Sequence, residues 1–359
     1  MTRYELTEKA MQPERIWHGF YEFAERTRMT GAPDTHMVMV ANEYKQLEPA
    51  EAMWSIGEYV GVYTVPAALE LNAAWSLERF KSEGKEIEPW LVENFKGLSM
   101  RRERRATRTP TKLTRYLNSW HDWIYDSGLF LARADITPIE RYVLMWDSIM
   151  QTVWGAGRYG TLKLLETMHR AGTAKLETPD IRPIDATTPR KMLNMLYPGS
   201  PATGNKPEEI ALVNGYALQI STGLREHGLP WDMYHTEVFL CEFLQAMKGG
   251  QYPGLSIDSE VNHYNKVYAH FPKGAASVRF WELRKELFPE WTLGELNGWE
   301  GTRDELRRCF PEFDYTWSDS LYDFHAMKDP SEPVVKEEPV AASMVRETES
   351  DLFAANYAV

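Results

Sequence analysis

Cysteine is almost absent from this chain, whose 359 residues include only Cys241 and Cys309. Two cysteines cannot build a disulfide framework or a cysteine-rich zinc site, and such scarcity is typical of a reducing cytoplasm. Long apolar runs are also missing, both at membrane-span length and at the N-terminus, where a signal segment would lie. The sequence therefore predicts a cytoplasmic protein that does not bind a membrane.

The chain also lacks an excess of basic residues, since its formal net charge is −12. This balance argues against a nonspecific packaging protein for nucleic acid, although the distribution of charge over one face decides binding. Residues 96–115 have the opposite sign of charge, since they contain eight basic residues and one acid, Glu103. The basic residues are Lys96, Arg101, Arg102, Arg104, Arg105, Arg108, Lys112 and Arg115.

This basic stretch is predicted to be helical over 89–108. The i, i+4, i+7 spacing of Arg101, Arg105 and Arg108 would then place them on one helical face. Crowded like charges destabilise a helix by a few tenths of a kcal/mol per pair, roughly, unless an anion compensates them. We interpret the face as a contact for a polyanion; the alternative is a solvated face that bridges to acidic neighbours.

Alternating strand patterns are scarce, and the periodicity of apolar residues is helical nearly throughout. The sequence thus predicts an all-α fold, with a helical region over 1–326 that could divide into lobes near residue 135. From 327 onward the chain is polar and acidic, which predicts a disordered tail. Segment 178–206 is rich in proline and glycine and is predicted to be loop-rich. Helices are predicted at about 13–28, 49–80 (two, broken near 57–66), 89–108, 110–127, 137–152, 158–171, 207–227 and 231–248.

A glycine hairpin is the most informative motif. Val-Trp-Gly-Ala-Gly-Arg-Tyr at 153–159 leads directly into a helical pattern. Gly155 and Gly157 allow close approach of the backbone, and the N-terminal N–H groups of the next helix suit a phosphate. Arg158 adds a charged donor. The alternative is an ordinary tight connection between two helices.

Asp180 follows the hairpin by 25 residues, in the sequence Pro-Asp-Ile-Arg. A carboxylate near a bound nucleotide can act as a general base or stabilise developing positive charge. Arg182 could pair with Asp180 or bind a substrate phosphate. For an arbitrary aspartate, a helix cap or a surface salt bridge is the competing interpretation.

A further acid–base group is predicted on the helix over 231–248. His235 and Glu242 share one side of this helix, and Glu237 faces Cys241. These residues could form a buried group with shifted pKa values. They do not form a zinc site, because no third and fourth ligands stand at suitable spacing. The alternative is a core stripe in which Cys241 is a small hydrophobic residue.

These motifs resemble two related families. The Gly-x-Gly hairpin and the Pro-Asp-Ile-Arg that follows it are similar, over about 140–185, to helix-hairpin-helix DNA glycosylases. Residues 154–166, with Glu-Val-Phe-Leu-Cys-Glu-Phe at 237–243, Gly-Gly at 249–250 and Pro-Gly at 253–254, resemble bacteriophage amino acid:DNA transferases. This second resemblance covers about 15–270, and these proteins are also called α-glutamyl/putrescinyl-thymine pyrophosphorylases. The chain departs from related members at Gln245 and Ala246, where they carry a base.

The resemblance implies a helical DNA-glycosylase-like fold and a reaction on DNA. A pyrophosphorylated hydroxymethyluracil would exchange its pyrophosphate for the amine of an amino acid or a polyamine, leaving a hypermodified thymine. DNA carrying a modified pyrimidine and the amine donor are the implied partners. No cofactor is implied, and a divalent cation near the pyrophosphate stays open.

Roles for individual residues follow from the motifs and the resemblance together. Asp180 is our first choice for the general base and Glu242 the second, with His235 beside it. Arg158, Arg182 and Glu237 are expected to bind substrate or pyrophosphate. The residues expected to contact DNA are Arg101, Arg102, Arg104, Arg105, Arg108, Lys112, Gly155, Gly157 and Tyr159.

Two alternatives remain open from the sequence. A DNA glycosylase would use the same hairpin and Asp180 but would leave an abasic site. A lysine nucleophile just after the hairpin would favour a bifunctional glycosylase, and Lys163 lies in the following helix. The other alternative is a helical DNA-binding phage protein that grips phosphates without chemistry.

Overall fold

The computed structural model describes residues 13–28, 34–101, 105–184, 186–199, 204–229, 232–247 and 255–288. All regular structure in these ranges is helical, and none of it is strand. The fold class is therefore all-α, as the sequence predicts. The acidic segment 327–359 and Cys309 lie outside these ranges.

Fifteen α-helices occur in the part of the chain that is described. They are α1 (Pro13–Arg28), α2 (Thr35–Tyr44), α3 (Pro49–Val62), α4 (Val65–Ala74), α5 (Leu77–Glu83), α6 (Ile87–Asn94), α7 (Pro110–Trp123), α8 (Leu129–Arg133), α9 (Pro138–Thr152), α10 (Gly157–Arg170), α11 (Thr187–Leu196), α12 (Pro207–Glu226), α13 (Met233–Met247), α14 (Leu255–His270) and α15 (Ala276–Leu287). The helices expected near 13–28, 137–152, 158–171, 207–227 and 231–248 are confirmed.

Two expectations about glycine and proline are incomplete. The break expected near 57–66 is confirmed, because α3 ends at Val62 and α4 begins at Val65, but the start of a third helix, α5, also lies in segment 49–80. Gly57 does not interrupt α3, and its lack of a Cβ leaves the space that the Trp120 side chain occupies. Segment 178–206, which its prolines and glycines predict to be loop-rich, contains a helix, α11. Pro189 sits in the first turn of α11, where the missing N–H has no helical partner to lose.

The chain divides into two compact units, each discontinuous in sequence. Unit 1 comprises Met1–Pro33, Asp180–Asp258 and Phe288–Val359, and unit 2 comprises Asp34–Pro179 and Ser259–Leu287. The expectation of lobes that meet near residue 135 concerns the whole region to residue 326 and stays a prediction.

Helix α3 forms the centre of unit 2 and packs against α2, α4, α5, α7 and α10. Every residue from Ala52 to Val62 is buried, so this helix is covered around its whole circumference, and the covered residues include the Glu58 carboxyl. Indole donors tie it to its neighbours. Trp54 Nε1 donates to the Trp75 carbonyl at 2.7 Å, and Trp120 Nε1 donates to the Met53 carbonyl at 2.8 Å.

Distant segments complete unit 2 through two buried carboxylates. Glu260 on α14 accepts the Val65 N–H at the start of α4 at 2.7 Å. Glu70 on α4 accepts the Ala276 N–H at the start of α15, also at 2.7 Å. Each carboxylate satisfies an N–H group that a helix N-terminus leaves without an intrahelical partner.

Unit 1 is built around α13, which packs against α1, α11 and α12. Phe20 and Phe23 of α1 meet Phe239 and Phe243 of α13, with ring centroids 5.5–6.4 Å apart. Large aromatic side chains of this kind dominate core energetics because each buries a large apolar area.

None of the helices in the described ranges is long and apolar enough to cross a membrane.

Candidate functional site

The glycine hairpin joins α9 to α10 in unit 2. Helix α9 begins at a capping box in which Thr137 and Glu140 exchange hydrogen bonds, with Pro138 in its first turn. Gly155 has φ of 75° and Gly157 has φ of 52°. Both lie in the left-handed region that favours glycine, so the turn between the two helices is confirmed.

The N-terminus of α10 is open to a ligand. Ala156 precedes the helix without a side-chain capping bond, and the first turn contains no acid. Gly157 is exposed. The N–H groups at such an end carry partial positive charge and suit an anion, as the sequence predicts for a phosphate.

A groove of about 580 Å³ opens beside this turn. Its wall is formed by residues of α7, by the end of α9 and by the hairpin itself. The guanidinium of Arg115 lies over the Trp154 ring, 4.7 Å from its centroid, and the Trp154 N–H donates to Ser119 Oγ at 3.0 Å. Trp154 is thus held at the edge of the groove by a cation–π contact and a backbone hydrogen bond.

The predicted helical face of the basic stretch is wrong. Helix α6 ends at Asn94, and Arg105–Thr107 forms only a single 3-10 turn. Hydrogen bonds from this segment to α3 hold it against the rest of unit 2 in a conformation that is not a continuous helix. Thr107 Oγ1 donates to the Gly61 carbonyl at 2.7 Å, and the Arg101 N–H donates to the Val62 carbonyl at 3.3 Å.

Arg101 turns inward rather than towards solvent. Its guanidinium donates to Ser259 Oγ at 2.7 Å and to Glu260 Oε1 at 2.8 Å, and its side chain is 16% exposed. Arg102, Arg104 and the side chain of Arg105 lie outside the described residues. A DNA contact by any of these arginines stays a prediction.

Other members of the basic stretch lie on the surface. Arg108, Lys112 and Arg115 are exposed, and the last two belong to α7. This helix begins at Pro110, where the sequence predicts a helix to start, and Thr109 Oγ1 accepts the Lys112 N–H at 3.3 Å. Arg158 and Tyr159 are half-buried in the first turn of α10.

Asp180 lies in unit 1 and is bound within its own loop. Its Oδ1 accepts the Arg182 N–H at 2.7 Å and lies 3.6 Å from Arg182 Nε. The Asp180 side chain is 23% exposed. Arg182 has φ of 48°, and a residue other than glycine in the left-handed region is strained in a way that often accompanies function. The general-base role of Asp180 stays a prediction.

The predicted acid–base group on α13 is largely buried. Glu237 is 6% exposed, and Glu242 and Cys241 are half-buried. His235 Nδ1 lies 2.6 Å from Asp232 Oδ1, which also accepts the His235 N–H at 3.0 Å. His235 therefore takes part in the start of the helix, and no catalytic role for these three residues is tested.

Sequence reasoning missed a buried charge array on the inner side of α10. Lys163, whose side chain is 3% exposed, donates to Asp34 Oδ2 and, at 3.1 Å, to Glu166 Oε2. Arg170 pairs with Glu166 Oε1 at 3.2 Å. The i, i+3 and i, i+4 spacing of Lys163, Glu166 and Arg170 is visible in the sequence, but Asp34 is 129 residues from Lys163.

This array weighs against a lysine nucleophile. Carboxylates at hydrogen-bond distance favour the charged form of an amine, which is not nucleophilic. Burial raises the pKa of Asp34, but Lys163, His36 and Arg101 outweigh burial and hold that pKa well below its ordinary value. Lys163 is therefore an ion-pair partner in the interior of unit 2.

A second group that the sequence did not indicate lies next to this array. His36 and Tyr59 are completely buried, and Tyr63 is 1% exposed. Burial lowers the pKa of His36 well below its ordinary value, and Arg101 lowers it further. Tyr63 ends α3 with φ of 58°, which adds a second strained residue to the molecule.

The described residues contain no group of three or more His, Cys, Asp or Glu side chains that could hold a metal ion. Neither the curated proteins nor the solved structures include a match to this chain. A family model described as "Amino acid:DNA transferase" matches residues 53–250, which is more than half of the chain and includes the basic stretch, the hairpin, Asp180 and the whole of α13. The chain therefore belongs to the amino acid:DNA transferase family, whose members are transferases that hypermodify DNA.

Proposed function

We propose that this protein replaces the pyrophosphate of a 5-pyrophosphomethyl-deoxyuridine in phage DNA with the amine of an amino acid. Membership of the amino acid:DNA transferase family carries this proposal. The new C–N bond forms at the base methylene while the C–O bond to pyrophosphate breaks. Pyrophosphate departs with the bonding electron pair, and the new secondary ammonium then loses a proton.

The residues near the hairpin support the DNA part of this proposal. The open N-terminus of α10 at Gly157, with exposed Lys112 and Arg108 in the same unit, offers backbone N–H groups and cations to phosphates. A base within duplex DNA must leave the stack before a displacement can occur at its methylene, at a cost of a few kcal/mol, roughly. The groove at Trp154 has the aromatic edge that such a base could stack on.

We assign the chemical step to the residues that the sequence indicated. Asp180 is proposed as the general base, and Glu242 with His235 as the alternative. Arg158, Arg182 and Glu237 are proposed to contact substrate or pyrophosphate. An amine attacks only in its unprotonated form, and a carboxylate can then accept the proton that the new secondary ammonium loses.

The decisive experiment is mass spectrometry of nucleosides from DNA that carries pyrophosphorylated hydroxymethyluracil, after incubation with the full chain and amino acids. An amine-linked thymidine together with released pyrophosphate is the expected result. Abasic sites with released base would instead identify a glycosylase. No change in the DNA, with binding retained, would leave a DNA-binding protein without chemistry.

Asp180→Asn tests the proposed base. The substitution keeps the size of the side chain and its ability to accept the Arg182 N–H, so the fold should be retained. We expect the rate constant for adduct formation to fall by about 100-fold or more, the usual range for loss of a general base. Full activity of this variant would move the assignment to Glu242.

Lys112→Ala tests the DNA contact, because Lys112 is exposed and has no structural ion pair among the described residues. Loss of one phosphate contact should lower the slope of log K against log salt by about 0.9. Lys191→Ala, an exposed lysine of α11 in unit 1, is the matched control. Equal slopes for the two variants would remove Lys112 from the interface. Arg101→Ala is less informative, because Arg101 is paired with Glu260.

A further inference from the structure

Among the completely buried side chains of unit 2 that have polar atoms with no partner in the part of the chain that is described, His36 and Tyr59 lie side by side. The atoms concerned are both ring nitrogens of His36 and the hydroxyl of Tyr59. Buried polar groups are almost always hydrogen-bonded, because leaving one without a partner costs stability. Three such atoms on adjacent side chains indicate that something polar is bound here when the protein works.

The two side chains belong to an aromatic cluster formed by His36, Tyr59, Tyr63 and Tyr159. The His36 ring lies 6.1 Å from the Tyr59 ring and 5.0 Å from the Tyr63 ring, to which it is perpendicular. Tyr63 lies 5.7 Å from Tyr159 on α10. Helices α2, α3 and α10 thus each contribute to one compact group, and the strained backbone of Tyr63 lies at its centre.

The cluster is buried at its base and reachable at its edge. His36 and Tyr59 have no exposed surface, whereas Asp34 and Arg101 are 14% and 16% exposed and Tyr159 is half-buried. A small ligand could therefore enter past the charged edge and hydrogen-bond to the buried base.

Charges of both signs surround the cluster. The charged or titratable groups that shift the pKa of His36 are Asp34, Arg101, Lys163 and His263. Glu260 and Asp34 shift the pKa of Tyr59. A simple anion such as pyrophosphate would meet Asp34 and Glu260, and a polyamine would meet Arg101 and Lys163. A ligand that carries one group of each sign fits both sets.

We propose that the aromatic cluster binds the head group of an α-amino acid donor, with its carboxylate towards Arg101 and Lys163 and its amine towards His36 and Tyr59. This inference rests on the proposed function, since it locates one of the two substrates of that reaction. It adds His36 and Tyr59 as donor-binding residues, which no motif in the sequence indicated.

The surroundings of His36 also suit the chemistry of the donor. Burial lowers the pKa of the His36 imidazole, and the positive charge of Arg101 lowers it further. The same desolvation and the same charge would lower the pKa of an ammonium placed beside His36. The donor's ammonium would then release its proton to solvent on binding, and its nitrogen lone pair would be available to form the C–N bond as pyrophosphate leaves.

His36→Phe and Tyr59→Phe test the proposal, with Tyr44→Phe as the matched control. Tyr44 is a buried tyrosine of unit 2 whose hydroxyl also has no partner among the described residues, and the charges acting on it are Glu58 and Glu43. We expect the KM for the amino acid to rise by about tenfold or more in the two cluster variants, because each loses a hydrogen bond to the ligand. The KM for DNA should stay within twofold, and Tyr44→Phe should match the wild type in both constants.

Thermal unfolding separates this role from a structural one. Removing a polar atom that has no protein partner should leave the Tm of the ligand-free chain unchanged or raised, while donor binding is lost. A lowered Tm in His36→Phe together with an unchanged KM would overturn the proposal. If His36→Phe does not fold, Tyr59→Phe alone gives the same comparison.

The probes are the twenty L-amino acids, putrescine and inorganic pyrophosphate, each titrated separately into the full chain by calorimetry. Amino-acid binding that His36→Phe abolishes and Tyr44→Phe retains supports the site even if no adduct forms, and then only the proposed reaction fails. Adducts that form with putrescine alone would refute the amino-acid site and keep amine transfer. Pyrophosphate competing with the amino acid for this site would also refute it, as would a wild-type chain that binds no amino acid.

Discussion

Lys163→Met should destabilise this protein far more than the loss of one surface charge. The lysine is 3% exposed and lies between Asp34 and Glu166, whose side chains are 14% and 3% exposed. Methionine fills a similar volume but leaves two carboxylates without their shared cation. Breaking a buried ion pair from one side costs about 3–5 kcal/mol, because the remaining charge keeps its desolvation penalty.

The structure places the expected loss within that range. Glu166 keeps Arg170 as a second partner at 3.2 Å, so most of the cost comes from Asp34. A total stability of about 5–15 kcal/mol makes a loss of 3–5 kcal/mol severe. Glu83→Gln is the matched control, because it removes only the charge of the pair with Arg79, whose side chains are 44% (Arg79) and 53% (Glu83) exposed, and should cost no more than about 0.5 kcal/mol.

Urea unfolding followed by circular dichroism measures these differences as shifts of the midpoint. The double variant Lys163→Met with Asp34→Leu should regain most of the lost stability, since it removes the stranded charge as well as its partner. A Lys163→Met loss below about 1 kcal/mol, or a double variant no more stable than the single one, would refute the account of the array.

The pH dependence gives a second measure of the same pair. The pKa of Asp34 is held below its ordinary value of 3.8 in the folded state, so its contribution is present above that value and is lost as the pH falls through it. Without Lys163 the pKa of Asp34 should rise. The acid side of the stability profile should therefore move to higher pH in Lys163→Met. An unmoved profile would contradict the pairing.

Three further predictions concern unit 2 and its control sites. Gly57→Ala should lower the free energy of unfolding in urea by about 1–3 kcal/mol, because its Cβ would lie 2.0 Å from the Trp120 ring. The control Gly215→Ala, whose Cβ would have nothing within 4 Å, should raise it by up to about 1 kcal/mol. A stabilised Gly57→Ala would contradict the close packing. Arg141→Met should cost about 2–4 kcal/mol, and Arg141→Lys should not rescue it, since the guanidinium donates to four backbone carbonyls at 2.6–3.2 Å. Burial raises the pKa of Glu58 well above its ordinary value of 4.5, so the contribution of Glu58 to stability is greatest below that value and declines as the pH rises. Glu58→Gln should remove this decline. Identical pH profiles of stability for the two proteins would show that Glu58 ionises freely.

The sequence was sufficient for most local structure. Thr109 with Pro110 and Thr137 with Pro138 mark the starts of α7 and α9, because cap and first-turn preferences act within four residues. The turn at Gly155 was equally visible, since it requires left-handed backbone angles that glycine adopts without strain.

Local spacing failed where tertiary contacts decide the backbone. The spacing of Arg101, Arg105 and Arg108 suits a helix, yet Arg105–Thr107 forms a 3-10 turn, and Thr107 and Arg101 donate hydrogen bonds to Gly61 and Val62 of α3. An i, i+4 argument compares residues only within one segment. It cannot include a partner such as Gly61, which is 46 residues from Thr107 along the chain.

The same difference between local motifs and long-range contacts applies to the residues of the candidate site. The hairpin, Asp180 and the helix with His235 could be proposed from sequence because each is a contiguous motif. The aromatic cluster could not, since His36, Tyr59 and Tyr159 come from three separate helices and only Tyr159 stands in a motif. The significance of His36 and Tyr59 depends on burial without hydrogen-bond partners among the described residues, which is a property of the packed interior.

By itself the sequence determined the all-α class, the bounds of helices such as α1, α9, α10, α12 and α13, the glycine hairpin and a resemblance that the family match confirms. Each of these depends on neighbouring residues or on a contiguous motif. Only the tertiary structure decided that Ser259–Leu287 returns to complete unit 2, that Arg101 pairs with Glu260, and that Lys163 lies between Asp34 and Glu166. These contacts join residues far apart in the chain, and their energies depend on exclusion of water, which arises only when the helices pack.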